Sequence, residues 1–262
     1  MDLYYQENQS PTAALVFAHG YKGFKDWGAW ELMAQKIAES GRVFIKFNFS
    51  HNGGIPENPI DFPDLNAFKE NTYTKELDDY NTVVDWLYSD HGFKFEFYKI
   101  MLIGHSRGGG IASLVAQKNS RVHCLVTLAA VSDFEKRFPQ GDDYIEWKEK
   151  GVYYVKNART GQQMPHSYNF YKDFIKNRDS LNIQKALRLL DKPCLIIHGD
   201  SDKSVGLEEA YALKLWCPNA SLEVVRGTGH TFGMKHPWTE KELPNPMQFV
   251  VQRIIDFCEK GN

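Results

Sequence analysis

Six stretches of the chain are almost continuously apolar: AALVFA (13–18), VFIKFNF (43–49), KIMLIG (99–104), VHCLVTLAA (122–130), PCLIIHG (193–199) and SLEVV (221–225). Most do not alternate with polar residues, which is the pattern of parallel strands covered on both faces. Between them the apolar spacing switches to three and four. Over 27–40, Trp30, Met33, Ala34 and Ile37 recur at helical spacing, with Asp26 placed to cap the start and Gly41 to end it. Over 74–90, Leu77, Tyr80, Val84 and Leu87 form one stripe. A last helix is signalled by Asn245 before Pro246, with Val250, Ile254 and Phe257 on one face. Strands alternating with helices predict an α/β chain with a doubly wound, mostly parallel sheet.

Two stretches break this rhythm. Residues 51–72 are rich in Gly, Pro, Asn and Asp and read as a long surface loop. Residues 133–180 carry many aromatic residues but no core strand, and GVYYVKNARTGQQMP reads as a hairpin turning near Thr160-Gly161. This stretch is expected to be a small cap inserted over one end of the sheet. With no repeat, low-complexity tract or linker, the expected division is one domain, 1–262, with the cap at about 133–180.

Composition narrows the partners. A hydrophobic fraction of 42% over 262 residues suffices for a sizeable core. A net charge of −2 leaves no electrostatic footprint for nucleic acid or an anionic membrane, so neither is an expected partner. No apolar run approaches the roughly 20 residues that span a bilayer. MDLYYQENQSPTAAL lacks a basic segment followed by an apolar one, so a cytoplasmic location is expected. Cys124, Cys194, Cys217 and Cys258 lie far apart with no CxxC spacing, and no HExxH or comparable cluster occurs. Neither a disulfide framework nor a metal or other cofactor is expected. Oligomeric state is left open.

The chemistry centres on Gly104-His105-Ser106-Arg107-Gly108, followed by Gly109 and Gly110. G-x-S-x-G alone is a weak signal. Here it follows the strand KIMLI and opens the helix-like segment GGGIASLVAQK, the context of a nucleophile elbow that lifts a serine hydroxyl clear of the sheet. A serine needs a base, and Gly227-Thr228-Gly229-His230-Thr231-Phe232 follows the late strand SLEVV. His230 is the candidate. His236 competes but precedes Pro237, while His19, His51, His105, His166 and His198 suit packing or backbone hydrogen bonding better. The base needs a carboxylate to fix its tautomer. Asp202, beyond PCLIIHG, fits the order Ser…Asp…His, with Asp200 and Asp133 as rivals. Ala18-His19-Gly20-Tyr21-Lys22-Gly23 follows the first strand and suits an oxyanion loop. The two N–H donors are assigned to the main chains of Tyr21 and Arg107.

On HGYKG, GHSRGG, HGDSDKSV and GTGHTF, the chain resembles the α/β-hydrolase superfamily over nearly its whole length outside 133–180. Its size, its HGYKG loop and its mid-chain insertion are similar to the dienelactone-hydrolase-like and cinnamoyl (feruloyl) esterase-like branch. That branch often has glutamine after the nucleophile, where this chain has Arg107. The resemblance implies a serine hydrolase cleaving carboxylic esters through Ser106, His230 and Asp202, of the carboxylesterase class, on aryl or short-to-medium acyl esters. A small-molecule ester is the expected partner. Substrate contacts are expected from Trp27, Trp30, Phe134 and Trp147, although such rings also serve simply to pack a cap onto a body. A peptidase or amidase, or an acyltransferase, would use the same triad, and a non-catalytic scaffold would need none of it.

Overall fold

The continuous apolar runs become the central strands. The structure, a computed structural model, describes residues 1–7, 11, 13–89 and 99–260. In chain order, the main sheet holds β1 (Asp2–Tyr4), β2 (Ala13–Ala18), β3 (Val43–Phe47), β4 (Lys99–His105), β5 (Cys124–Leu128), β8 (Cys194–Gly199) and β9 (Ala220–Val225). They lie in the order β1-β3-β2-β4-β5-β8-β9, parallel except for β1, which runs antiparallel to β3 at one edge. Period-two side chains then divide the core in two. Ala14, Val16 and Ala18 face a layer holding α3 (Tyr73–Trp86), α4 (Arg107–Lys118), α7 (Ile183–Arg188) and α8 (Leu207–Trp216). Leu15 and Phe17 face α1 (Trp30–Glu39) and α9 (Asn245–Lys260) on the other side. The expected doubly wound α/β architecture is therefore present. One interlayer tie is polar: the buried Tyr80 hydroxyl reaches the Val16 and Ile103 carbonyls at 2.7 and 3.0 Å. Residue 90, at the end of the expected second helix, lies outside the described residues.

Three local expectations need correction. Asp26 does not cap α1, whose N-cap is Ala29. Its carboxylate instead pairs with Lys25 and with Lys46, a fully buried lysine in the middle of β3. A buried ammonium needs such partners, and that demand overrides the capping preference. Residues 51–72 are more than a surface loop. They contain α2 (Leu65–Lys69), capped by Asp64 through the Ala67 N–H, and bury Phe62 and Phe68 against Phe24 and Met164. The edge strand β1 was not anticipated, because three half-buried residues carry no apolar run.

Between β5 and β8 the chain leaves the sheet. It forms a short 3-10 turn (Glu135–Arg137), α5 (Gly141–Lys150), an antiparallel hairpin of β6 (Val152–Lys156) and β7 (Gln163–Ser167), and α6 (Asn169–Lys176). The hairpin turns through Gly161 at φ 76°, as its sequence suggests. The four cysteines are buried and free. Among the described residues no helix is long and apolar enough to cross a membrane.

Candidate active site

Ser106 sits in the turn between β4 and α4 at φ 56°, ψ −119°. A non-glycine residue there costs about 1–2 kcal/mol and must be held by its surroundings. The Ser106 N–H donates to the Leu128 carbonyl at 2.9 Å, and the Ser106 carbonyl accepts from Gly109 at 3.0 Å and Val131 at 3.2 Å. Neighbouring glycines allow the backbones to close in. A Cβ on Gly104 would lie 2.2 Å from the Gly108 carbonyl oxygen, and one on Gly108 would lie 2.4 Å from that of His19. Gly108→Ala is therefore expected to destabilise the fold by about 3 kcal/mol or more, read by chemical denaturation, since no flexible side chain can move aside. Gly20 approaches Ser106 closely as well: a Cβ there would sit 2.8 Å from Ser106 Cβ. The early loop thus lies directly against the serine. Neither the Tyr21 nor the Arg107 N–H has a protein acceptor among the described hydrogen bonds.

The loops after two later strands, β8 and β9, carry the other two candidates. Asp202 follows β8 and His230 follows β9, and a Cβ on Gly199 would lie 2.3 Å from the Thr228 carbonyl oxygen, so the two loops touch. His230 Nδ1 lies 2.7 Å from Asp202 Oδ2. A carboxylate only accepts, so Nδ1 carries the proton and Nε2 is left with a free lone pair. Asp202 Oδ1 accepts from the Ser204 and Val205 N–H groups at 2.8 and 2.9 Å, and His198 Nε2 stands 3.4 Å from Oδ2. Burial alone would raise this carboxyl. Hydrogen bonds from His198, His230 and the Val205 N–H outweigh it and hold Asp202 well below the usual carboxylate range. The His230 carbonyl accepts from His105 Nε2 at 2.9 Å, which anchors the backbone of His230.

The rival residues are engaged elsewhere. Asp200 accepts from the Gly227 N–H at 2.7 Å and so ties the loop after β8 to the loop after β9, whereas Asp133 accepts from the Glu135 N–H at 2.8 Å as a turn former. His236 Nδ1 accepts from the Gly28 N–H at 3.0 Å. Burial lowers His19 to about 4 and His105 to about 3.

Ser106 and His230 open into a cavity of about 520 Å³. Phe134 and Trp147 line it, together with Phe138, Tyr153 and Phe170 from the inserted segment. Trp27 and Trp30 do not. Trp30 is in the core, 4.8 Å from the Phe17 ring centroid, and Trp27 stacks on His236 at 6.1 Å. Nearness in sequence to the Gly20 loop was a poor guide, because α1 turns Trp30 onto the opposite layer and Trp27 packs against that same layer. Sequence reasoning also missed Tyr73, Lys22, Arg137 and His166 in the lining. Tyr73 comes from the start of α3 and stacks on Phe134 at 4.0 Å, a meeting of distant segments that no local pattern records. His166 shares a 2.7 Å hydrogen bond with the Tyr21 hydroxyl, and burial with the nearby Arg107 and Lys22 cations lowers it to about 3. The Arg107 guanidinium lies over Tyr21 at 4.3 Å and reaches the buried Glu76 at 3.2 Å. Among the described residues no group of three or more His, Cys, Asp or Glu side chains is placed to hold a metal ion.

Comparison with known proteins adds a family and a fold. A family model described as BD-FAE matches residues 1–217. No curated protein sequence matches the chain. Est1E from Butyrivibrio proteoclasticus, solved with ferulic acid bound, superposes with TM-score 0.72 at 18% identity, covering 99% of this chain and 94% of that one. Alpha/beta hydrolase domain-containing protein 10 from mouse gives 0.71 at 17% identity over 100% and 99%. The monoacylglycerol lipase of Paleococcus ferrophilus gives 0.70 at 12% identity over 100% of both chains. At these identities the structures share the fold.

Proposed function

The chain belongs to the BD-FAE family of esterase-like α/β-hydrolases, and from that premise we propose that it hydrolyses carboxylic esters with Ser106 as nucleophile, His230 as base and Asp202 as the orienting acid. The observation that carries this reading is the 2.7 Å contact between His230 Nδ1 and Asp202 Oδ2, which leaves Nε2 as the proton acceptor of a histidine that lines the same cavity as a serine on a strained turn. His230 takes the Ser106 proton as Oγ attacks the acyl carbon. Negative charge on the former carbonyl oxygen rests on the N–H groups of Tyr21 and Arg107, and the N-terminal end of α4 favours that charge. His230 returns the proton to the leaving alcohol. Water then repeats the sequence on the acyl-enzyme and releases the acid.

Residues 133–180 act as the cap over this site, and their aromatic rings suit an aryl or medium acyl group. The binding of ferulic acid by Est1E supports an aromatic acyl group here as well. The test is kcat/KM for p-nitrophenyl esters of graded acyl length alongside methyl hydroxycinnamates. The expected result is a clear dependence on acyl size and aromaticity. Equal efficiency across the series would remove the acyl-pocket reading.

The pH profile has a defined sign. An imidazolium cannot accept a proton, so kcat/KM falls about tenfold per pH unit on the acid side once His230 is charged. Asp202 stays ionised throughout that range because its carboxyl is held so low. A rate with no fall on the acid side would exclude His230 as the base.

A further inference from the structure

The cavity wall has an unbalanced charge. Lys22, Arg107 and Arg137 line it, and no aspartate or glutamate among the described residues does. Two of the cations are neutralised from behind: Arg107 by Glu76 at 3.2 Å and Arg137 by Glu209. Lys22 has no carboxylate within ion-pair distance among the described residues, and its ammonium lies 5.1 Å from the Tyr21 ring centroid. The Arg107 guanidinium uses the same ring at 4.3 Å, so both charges gather beside the oxyanion loop. Burial and the Arg107 charge lower the Lys22 ammonium. The rest of the wall is largely aromatic.

From this charge arrangement, and resting on the esterase reading above, we infer that the preferred substrate is an ester whose acyl group carries a second, free carboxylate, which pairs with Lys22. One uncompensated cation matches one carboxylate rather than a phosphate dianion. The acyl side is the one addressed because Lys22 and Arg107 adjoin the oxyanion loop and the nucleophile. These elements surround the acyl group in both halves of the reaction. Arg107, its charge already met by Glu76, is held in place by that carboxylate and three rings, one of them the Tyr21 ring beside Lys22.

The test compares p-nitrophenyl hydrogen glutarate with p-nitrophenyl pentanoate, which have equal chain length and differ in terminal charge, at one fixed ionic strength. The expected ratio of kcat/KM favours the charged ester by about tenfold or more, collapses in Lys22→Met and persists in Lys22→Arg. Preference for the neutral ester, or a ratio that Lys22→Met leaves unchanged, overturns the inference. A second measurement needs neither turnover nor a change at Lys22. Calorimetric titration of the Ser106→Ala protein is expected to bind monomethyl glutarate about tenfold more tightly than methyl pentanoate. Equal binding overturns the inference. If neither p-nitrophenyl ester is cleaved but the titration keeps its preference, the esterase reading fails and the carboxylate site stands.

Discussion

Replacing Ser106 with alanine is expected to lower kcat/KM for every hydrolysed ester by on the order of 10⁵- to 10⁶-fold while leaving the fold intact. The size follows from the mechanism. Without Oγ there is no acyl-enzyme, and only the oxyanion donors and bound-state positioning remain. Stability should change little or improve, since alanine at φ 56° carries the same strain as serine and the backbone hydrogen bonds of residue 106 are untouched. Melting temperature measured beside activity separates the two effects. A variant that keeps more than about a hundredth of the wild-type rate would place the chemistry elsewhere.

The second large effect is expected at Asp202. Asp202→Asn should cost about 10⁴-fold in kcat, and the hydrogen bonds explain why so small a change costs so much. Oδ1 faces two backbone donors, the Ser204 and Val205 N–H groups, so the asparagine oxygen must occupy that position. The NH₂ then takes the place of Oδ2 and points at His230 Nδ1. Nδ1 is forced to accept, the proton moves to Nε2, and the base faces Ser106 in the wrong tautomer. Asp200→Asn and Asp133→Asn should stay within about threefold of wild type, because each carboxylate accepts a backbone N–H that an amide oxygen can accept equally. Steady-state kinetics on the three variants decides the assignment. An equal loss at Asp200 would transfer the role.

Much of the architecture was legible because its strands are buried on both faces and therefore read as unbroken apolar runs. Ser106 and His230 stand out as candidates for a related reason: each follows a strand among glycines, where backbones must approach, although β9 before His230 is a half-exposed edge strand. The choice of acid was not legible, since Asp133, Asp200 and Asp202 all stand just beyond strands and only three-dimensional pairing separates them. The pocket was least legible. Trp30 obeys the helical period of α1 and so belongs to the core, whereas Tyr73 and His166 reach the cavity from segments 93 residues apart in the chain numbering. Lys46 shows the same limit, because a lysine inside an apolar strand gives no sign of the carboxylates that will meet it. Charge balance around the cavity is likewise a property of packing. Lys22 looks like an ordinary loop lysine until its neighbours are known.

The central claim is that Ser106 forms the covalent intermediate, and intact-protein mass spectrometry after treatment with a fluorophosphonate tests it most directly. The expected result is one adduct per chain, mapped to the peptide containing Ser106, with ester hydrolysis lost in proportion to labelling and no adduct in Ser106→Ala. Hydrolysis that survives complete labelling, or an adduct that maps to another residue, would contradict it.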